Sequence, residues 1–144
     1  MTLKLYSRSC EYAIRALASI GGDGRGKSFS LRELCKKAGV PEPITRKSFQ
    51  TLVRKGVLSA KRGCGGGYRF RRSPANVTLM DIIQAVDGKR PYDRCILGHD
   101  TCGHPDPCEL HEIWEKARTT LVSELSSSSL AQLMGKHEIK TTSP

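Results

Sequence analysis

Four residues in the last third of the chain have the types and spacing of a metal site: Cys95-x6-Cys102-x5-Cys108-x2-His111. Thiolates and an imidazole are soft ligands, suited to zinc or to iron in a sulfur-bridged cluster. Spacing alone does not choose between a closed Cys3His zinc site and an iron–sulfur cluster. Cys95 and Cys102 fall in a Gly- and Pro-rich stretch. Cys108 and His111 are three apart, which puts them on one face if a helix starts with Asp106 as cap and Pro107 in its first turn. A helix N-terminus also favours a thiolate at Cys108. His99 and His104, inside the same loop, are substitutes for His111. Three unrelated thiols would not be expected to cluster so tightly. The remaining cysteines read differently: Cys35 as a small buried hydrophobe, Cys64 as an exposed residue among glycines, Cys10 as undetermined.

A second group of residues could hold a polyanion. A helix is predicted from about Pro43 to Lys55, with Phe49, Leu52 and Val53 facing inward. Its outer face then carries Lys47, Thr51 and Arg54, flanked by Thr45, Arg46, Ser48 and Gln50, groups that reach phosphates and base edges in a major groove. From Arg54 to Arg72 there are seven basic residues and no acidic one. Within that stretch lies Lys61-Arg62-Gly63-Cys64-Gly65-Gly66-Gly67-Tyr68, which reads as the tip of a β-hairpin. Lys61, Arg62, Gly65, Gly66 and Tyr68 are the hairpin positions assigned to DNA. Glycines without side chains would let the backbone approach a phosphate or a narrow minor groove.

The elements that must position these groups follow from periodicity and punctuation. Residues 10–20 carry an apolar face at Ala13, Ile14, Leu17 and Ala18, closed by Gly21-Gly22. Ser30-Leu31-Arg32-Glu33 begins a second helix with Gly39 as its C-cap. Val40-Pro41-Glu42-Pro43 forces a tight turn before the basic helix. Two short helices across a tight turn, followed by a hairpin, is the winged helix-turn-helix order. Thr78 caps a helix over 79–87 that ends at Gly88. The last long helix carries Leu110, Ile113, Trp114, Ala117, Leu121 and Leu125, followed by a Ser-rich break and a short turn over 130–134. The expected fold is therefore mainly α with a small β-hairpin. It divides into 1–88 for DNA binding, 89–108 as a cysteine loop, 109–134 as a dimerisation helix with a short terminal helix, and a disordered tail over 135–144.

Charge supports this division. The chain has 144 residues and a net charge of +10. Residues 1–94 hold 20 of the Lys and Arg against 7 Asp and Glu, while residues 95–144 hold 4 against 7. A basic unit joined to a mildly acidic remainder points to nucleic acid as partner rather than to a membrane or a small-molecule substrate. No stretch approaches the roughly 18 apolar residues of a membrane span, and Glu11 and Arg15 interrupt anything resembling a leader. The expected location is the cytoplasm, with cysteines as reduced thiols or metal ligands.

Three motifs and the cysteine loop together resemble the IscR/NsrR-type family of bacterial winged-helix regulators, over about residues 5–134. The motifs are Glu11-Tyr12-Ala13-Ile14-Arg15-Ala16-Leu17, Arg62-Gly63-Cys64-Gly65-Gly66-Gly67-Tyr68 and Asp81-Ile82-Ile83-Gln84-Ala85-Val86. The resemblance implies a homodimer paired through the long C-terminal helices, reading a pseudo-palindromic operator in double-stranded DNA. It also implies an iron–sulfur cluster on Cys95, Cys102 and Cys108, most simply 2Fe–2S. In the cluster-assembly members a histidine separated by two residues from the last cysteine completes the site, which maps to His111. In nitric-oxide-sensing members an acidic residue before the first-helix Tyr-Ala, donated by the partner, does so, which maps to Glu11. This chain offers both, and its first cysteine gap is six where the cluster-assembly members have five.

The function expected is a transcriptional repressor or activator whose DNA affinity follows the state of the cluster. Two alternatives differ in kind: a winged-helix regulator with structural zinc and no sensing, and a thiol-based redox enzyme using Cys95, Cys102 or Cys108. Against the enzyme stands the lack of a Cys-x-x-Cys pair or of a nucleophile–base constellation.

Overall fold

The computed structural model describes residues 4–22, 24, 26–88, 92–97 and 107–134. In chain order it contains α1 (Arg8–Ala18), α2 (Leu31–Ala38), α3 (Glu42–Arg54), β1 (Leu58–Lys61), β2 (Gly67–Phe70), a 3-10 turn at Pro74–Asn76, α4 (Leu79–Asp87), α5 (His111–Ser127) and α6 (Leu130–Leu133). This is a winged helix-turn-helix with a long helix beside it.

α1 begins two residues earlier than its apolar pattern suggests. Ser7 is the cap, accepting from the Cys10 amide at 3.1 Å, and the Asp87 carboxylate holds Ser7 in turn through its amide at 2.8 Å and through its hydroxyl. The helix also ends at Ala18 rather than Ile20. α2 is capped by Ser30 and closed by Gly39 in the left-handed region at φ 67°, a conformation that costs glycine little. α3 starts at Glu42 with Pro43 in its first turn, where a missing amide is harmless. α4 runs over the residues predicted, with Thr78 and Asp81 forming a reciprocal capping box.

Leu17, Phe49, Leu52, Leu58, Ile82, Ile83 and Leu130 are all fully buried and meet in one core. β1 and β2 pair antiparallel, Leu58 opposite Phe70 and Ala60 opposite Tyr68. Phe29 adds a short third rung: its amide donates to the Tyr68 carbonyl at 2.8 Å, and the Tyr68 amide donates back at 2.9 Å. The wing is thereby fastened to the segment that enters α2.

The short terminal helix after the serine run joins the core: Ser129 bridges to Thr78, the Leu130 amide donates to the Val77 carbonyl at 2.7 Å, and Leu130 and Met134 are buried there. α5 starts later than expected, at His111, with Leu110 before it and no side-chain cap. Cys108 lies ahead of the helix, at the start of the turn closed by the His111 amide on its carbonyl, with its sulfur beside that of Cys95. The expected cap Asp106 lies outside the described residues, as do Cys102, His99, His104 and the tail from 135. α5 packs against α4 yet buries none of its residues, and Ile113 is 67% exposed.

Candidate nucleic-acid interface and cysteine site

On α3 the polar residues divide into two sets. Arg46, Lys47, Gln50 and Arg54 are exposed and Thr51 is half-buried. Arg46 pairs with Glu42 one turn earlier, and the Arg54 guanidinium donates to the Thr51 hydroxyl at 3.1 Å. Both are surface contacts that nucleic acid can displace at small cost. Thr45 and Ser48 do not belong with them. Thr45 is fully buried, its hydroxyl donating to the Pro41 carbonyl at 2.8 Å, and Ser48 is 3% exposed, donating to the Ser9 carbonyl at 3.1 Å. They share the inner face with Phe49 and Leu52 because 45, 49 and 52 recur at helical spacing.

The wing presents Lys61, Arg62 and Gly65 to solvent. Its glycines answer first to the protein's own backbone. A side chain at Gly66 would place its Cβ 2.4 Å from the Lys61 carbonyl oxygen and 2.6 Å from that of Gly63; at Gly67 it would lie 2.6 Å from the Phe29 carbonyl oxygen. Gly66 is thus a requirement of the turn. Tyr68, half-buried, has a packing role. Its ring stands edge-on against Phe49 at 5.2 Å and 88°, a packing that seats the wing on α3. Phe29, which clamps this arrangement, was missed; an apolar residue immediately before a Ser cap was the available signal.

At the base of α5 the Cys95 and Cys108 sulfurs stand 3.7 Å apart, and the Leu97 amide donates to the Cys95 sulfur at 3.4 Å. Cys95 is buried and Cys108 half-buried. The two thiols are thus within hydrogen-bond contact of each other, and their separation is close to the roughly 3.8 Å between two sulfurs bonded at about 2.3 Å to one tetrahedral metal. His111 follows directly, its amide donating to the Cys108 carbonyl at 2.9 Å. Among the described residues, which do not include Cys102, no three His, Cys, Asp or Glu form a metal cage. Glu11, the other candidate fourth ligand, lies on α1 and pairs with Arg15 at 3.6 Å.

The other thiols are of a different kind. Cys10 is fully buried, and burial, with the Asp87 carboxylate adding to it, pushes its thiol up to about 12. Burial likewise raises Cys35, which lies beneath α3. Cys64 is exposed at the wing tip. Around the cysteine loop, the Trp114 indole donates to the Arg94 carbonyl at 2.9 Å, and the buried Tyr92 hydroxyl donates to the Leu5 carbonyl at 2.7 Å.

Comparison with known proteins agrees with this architecture. Residues 6–136 match the family model described as Rrf2, iron-dependent transcriptional regulator. The HTH-type transcriptional regulator IscR of Photorhabdus laumondii is 27% identical over 128 residues, 89% of this chain and 77% of that protein. CymR, the global cysteine regulator of B. subtilis, superposes with a TM-score of 0.76 at 21% identity, over 95% of this chain and 100% of that one. IscR of T. potens superposes at 0.72 and 23% identity, over 100% and 96%. With the model match spanning nearly its whole length, the chain belongs to the Rrf2 family of transcriptional regulators and carries that family's DNA-binding winged-helix fold.

Proposed function

We propose that this protein is a sequence-specific regulator whose affinity for duplex DNA follows occupation of a metal site at the base of α5. Cys95, Cys102 and Cys108 hold the metal, His111 is the fourth ligand ahead of Glu11, and a 2Fe–2S cluster is the preferred occupant. The observation that carries this reading is the 3.7 Å separation of Cys95 and Cys108, thirteen residues apart in sequence, beside the first turn of α5. When bound, such a cluster supplies a tie sensitive to iron and to oxidants between loop and helix. The protein's own residues do the rest. Trp114 anchors the loop to α5 through Arg94, while Arg46, Lys47, Gln50, Thr51 and Arg54 on α3 and Lys61 and Arg62 on the wing, with the bare backbone at Gly65, meet the DNA. The exposed apolar residues of α5, Ile113 foremost, pair two copies so that both recognition helices face half-sites about 34 Å apart. Such a dimer acts in the cytoplasm.

Structural zinc fits the same sulfur separation, and one preparation separates the two. Protein purified without oxygen is expected to be coloured and to contain iron and acid-labile sulfide in stoichiometric amounts. A colourless protein with one zinc per chain would replace the sensing cluster with a structural ion.

A further inference from the structure

Two sets of polar contacts meet just before and within the start of α1. From the cysteine side comes Tyr92, three residues ahead of Cys95 and 7% exposed, whose hydroxyl donates to the Leu5 carbonyl at 2.7 Å. From the DNA side comes Ser48, on the buried face of α3, whose hydroxyl donates to the Ser9 carbonyl at 3.1 Å. Between these points Ser7 caps α1 and is gripped by Asp87 at the end of α4. Residues 5–9 are therefore held from three elements over a span of five residues. The segment carrying Tyr92 is itself tied to α5, since the Trp114 indole bonds the Arg94 carbonyl next to Cys95.

We propose that Tyr92 is a positioning residue that transmits the state of the cysteine loop to the recognition helix α3 by way of residues 5–9. This rests on the reading of the loop as the metal-responsive site. The Tyr92–Leu5 and Ser48–Ser9 bonds are both made in this structure, and breaking either would interrupt the contiguous contacts between the two sites. Metal at Cys95 and Cys108 fixes the segment 92–97; with that segment fixed, Tyr92 holds Leu5, and the start of α1 holds α3 through Ser48. Metal bias on one end is then felt as a change in DNA affinity at the other.

The test uses Tyr92→Phe, which keeps the ring and removes only the hydroxyl, and Ser48→Ala at the far end. The full-length protein is prepared anaerobically with iron and sulfide, and in chelator-stripped form. The dissociation constant of each form is measured on a duplex that the wild type selects from a random pool. The wild-type ratio between the two forms is expected on the order of tenfold. Each variant should shrink that ratio by about two- to tenfold, the worth of one buried hydrogen bond, with the stripped form little changed. In hydrogen exchange without DNA, reconstitution should protect residues 42–54 in the wild type and much less in the variants. If Tyr92→Phe keeps the full ratio and the α3 protection, or weakens both forms equally, the relay is overturned while the metal reading stands. A wild-type ratio of one overturns the metal reading and the relay with it.

Discussion

Replacing Gly67 with alanine tests how the wing is built. Gly67 has φ +132°, a region L-residues rarely adopt, and an added Cβ would stand 2.6 Å from the Phe29 carbonyl oxygen. That oxygen accepts the Tyr68 amide in the rung that fastens the wing. Backbone strain there costs about 1–3 kcal/mol, and loss of the two Phe29–Tyr68 bonds about 1 kcal/mol each. The sum is about 3–5 kcal/mol, reduced somewhat where the strand can shift. With a urea dependence of about 2 kcal/mol per molar, the midpoint should fall by about 1.5–2 M. Gly63→Ala is the control: its φ is +95°, yet nothing lies within 4 Å of a Cβ there, so it carries strain without collision and should lose about half as much. Urea unfolding followed by far-UV circular dichroism gives both values. DNA affinity of Gly67→Ala should drop as well, since the neighbouring Tyr68 packs the wing against Phe49 of α3. Equal midpoints for the two variants, or a loss below about 0.3 M for Gly67→Ala, would refute this account of the wing.

Further outcomes follow from individual residues. Phe49→Ala empties the space against Tyr68 at the centre of the core and should cost about 3–5 kcal/mol in urea unfolding. Stability should decline at alkaline pH. The Cys10 thiol stays protonated in the fold to about 12 but ionises near 9 when unfolded, so its contribution is complete below pH 9 and is lost toward pH 12. Tyr92, raised from 10 to about 12 by burial, acts in the same sense. Urea midpoints from pH 8 to 10.5 should fall less steeply in Cys10→Ala, by up to about 1.4 kcal/mol per pH unit. Iodoacetamide at pH 8 should modify Cys64 long before Cys10, and bound duplex should slow the reaction at Cys64, as peptide mass spectrometry can follow. Arg62→Ala should weaken binding to all duplexes alike and reduce the salt slope by about one phosphate contact.

The sequence showed most clearly those elements that carry their own punctuation. α4 was readable to the residue because Thr78, Asp81 and Gly88 mark both ends. The hairpin was readable because glycines separate two short alternating runs. α1 was placed late since its cap, Ser7, precedes the apolar pattern and owes its strength to Asp87, 80 residues away. Thr45 and Ser48 were read as DNA contacts from polarity, although their spacing from Phe49 and Leu52 already placed them inward; Cys10, three and seven residues before Ala13 and Leu17, was legible in the same way. The short terminal helix α6 was expected, but its place in the core was not legible, because four residues are too few for periodicity and a serine run resembles a linker. Of the cysteine site, the nearness of Cys95 and Cys108 was legible from clustering. The late start of α5 was not, since Asp106 and Pro107 resemble a cap and first turn while the helix begins at His111 without a side-chain cap.

The central claim is that α3 and the wing grip duplex DNA, and salt dependence tests it most directly. Binding of the purified protein to a labelled duplex, followed by fluorescence anisotropy from 50 to 300 mM salt, needs no knowledge of the operator. Each phosphate neutralised contributes a slope of about −0.9 in log affinity against log salt. Arg46, Lys47, Arg54, Lys61 and Arg62 should give a slope of about −4.5 from one copy and about −9 from two if each neutralises one phosphate. A slope near zero, or affinity unchanged when Arg62 and Arg54 are both replaced by alanine, would contradict the assignment of this face to DNA.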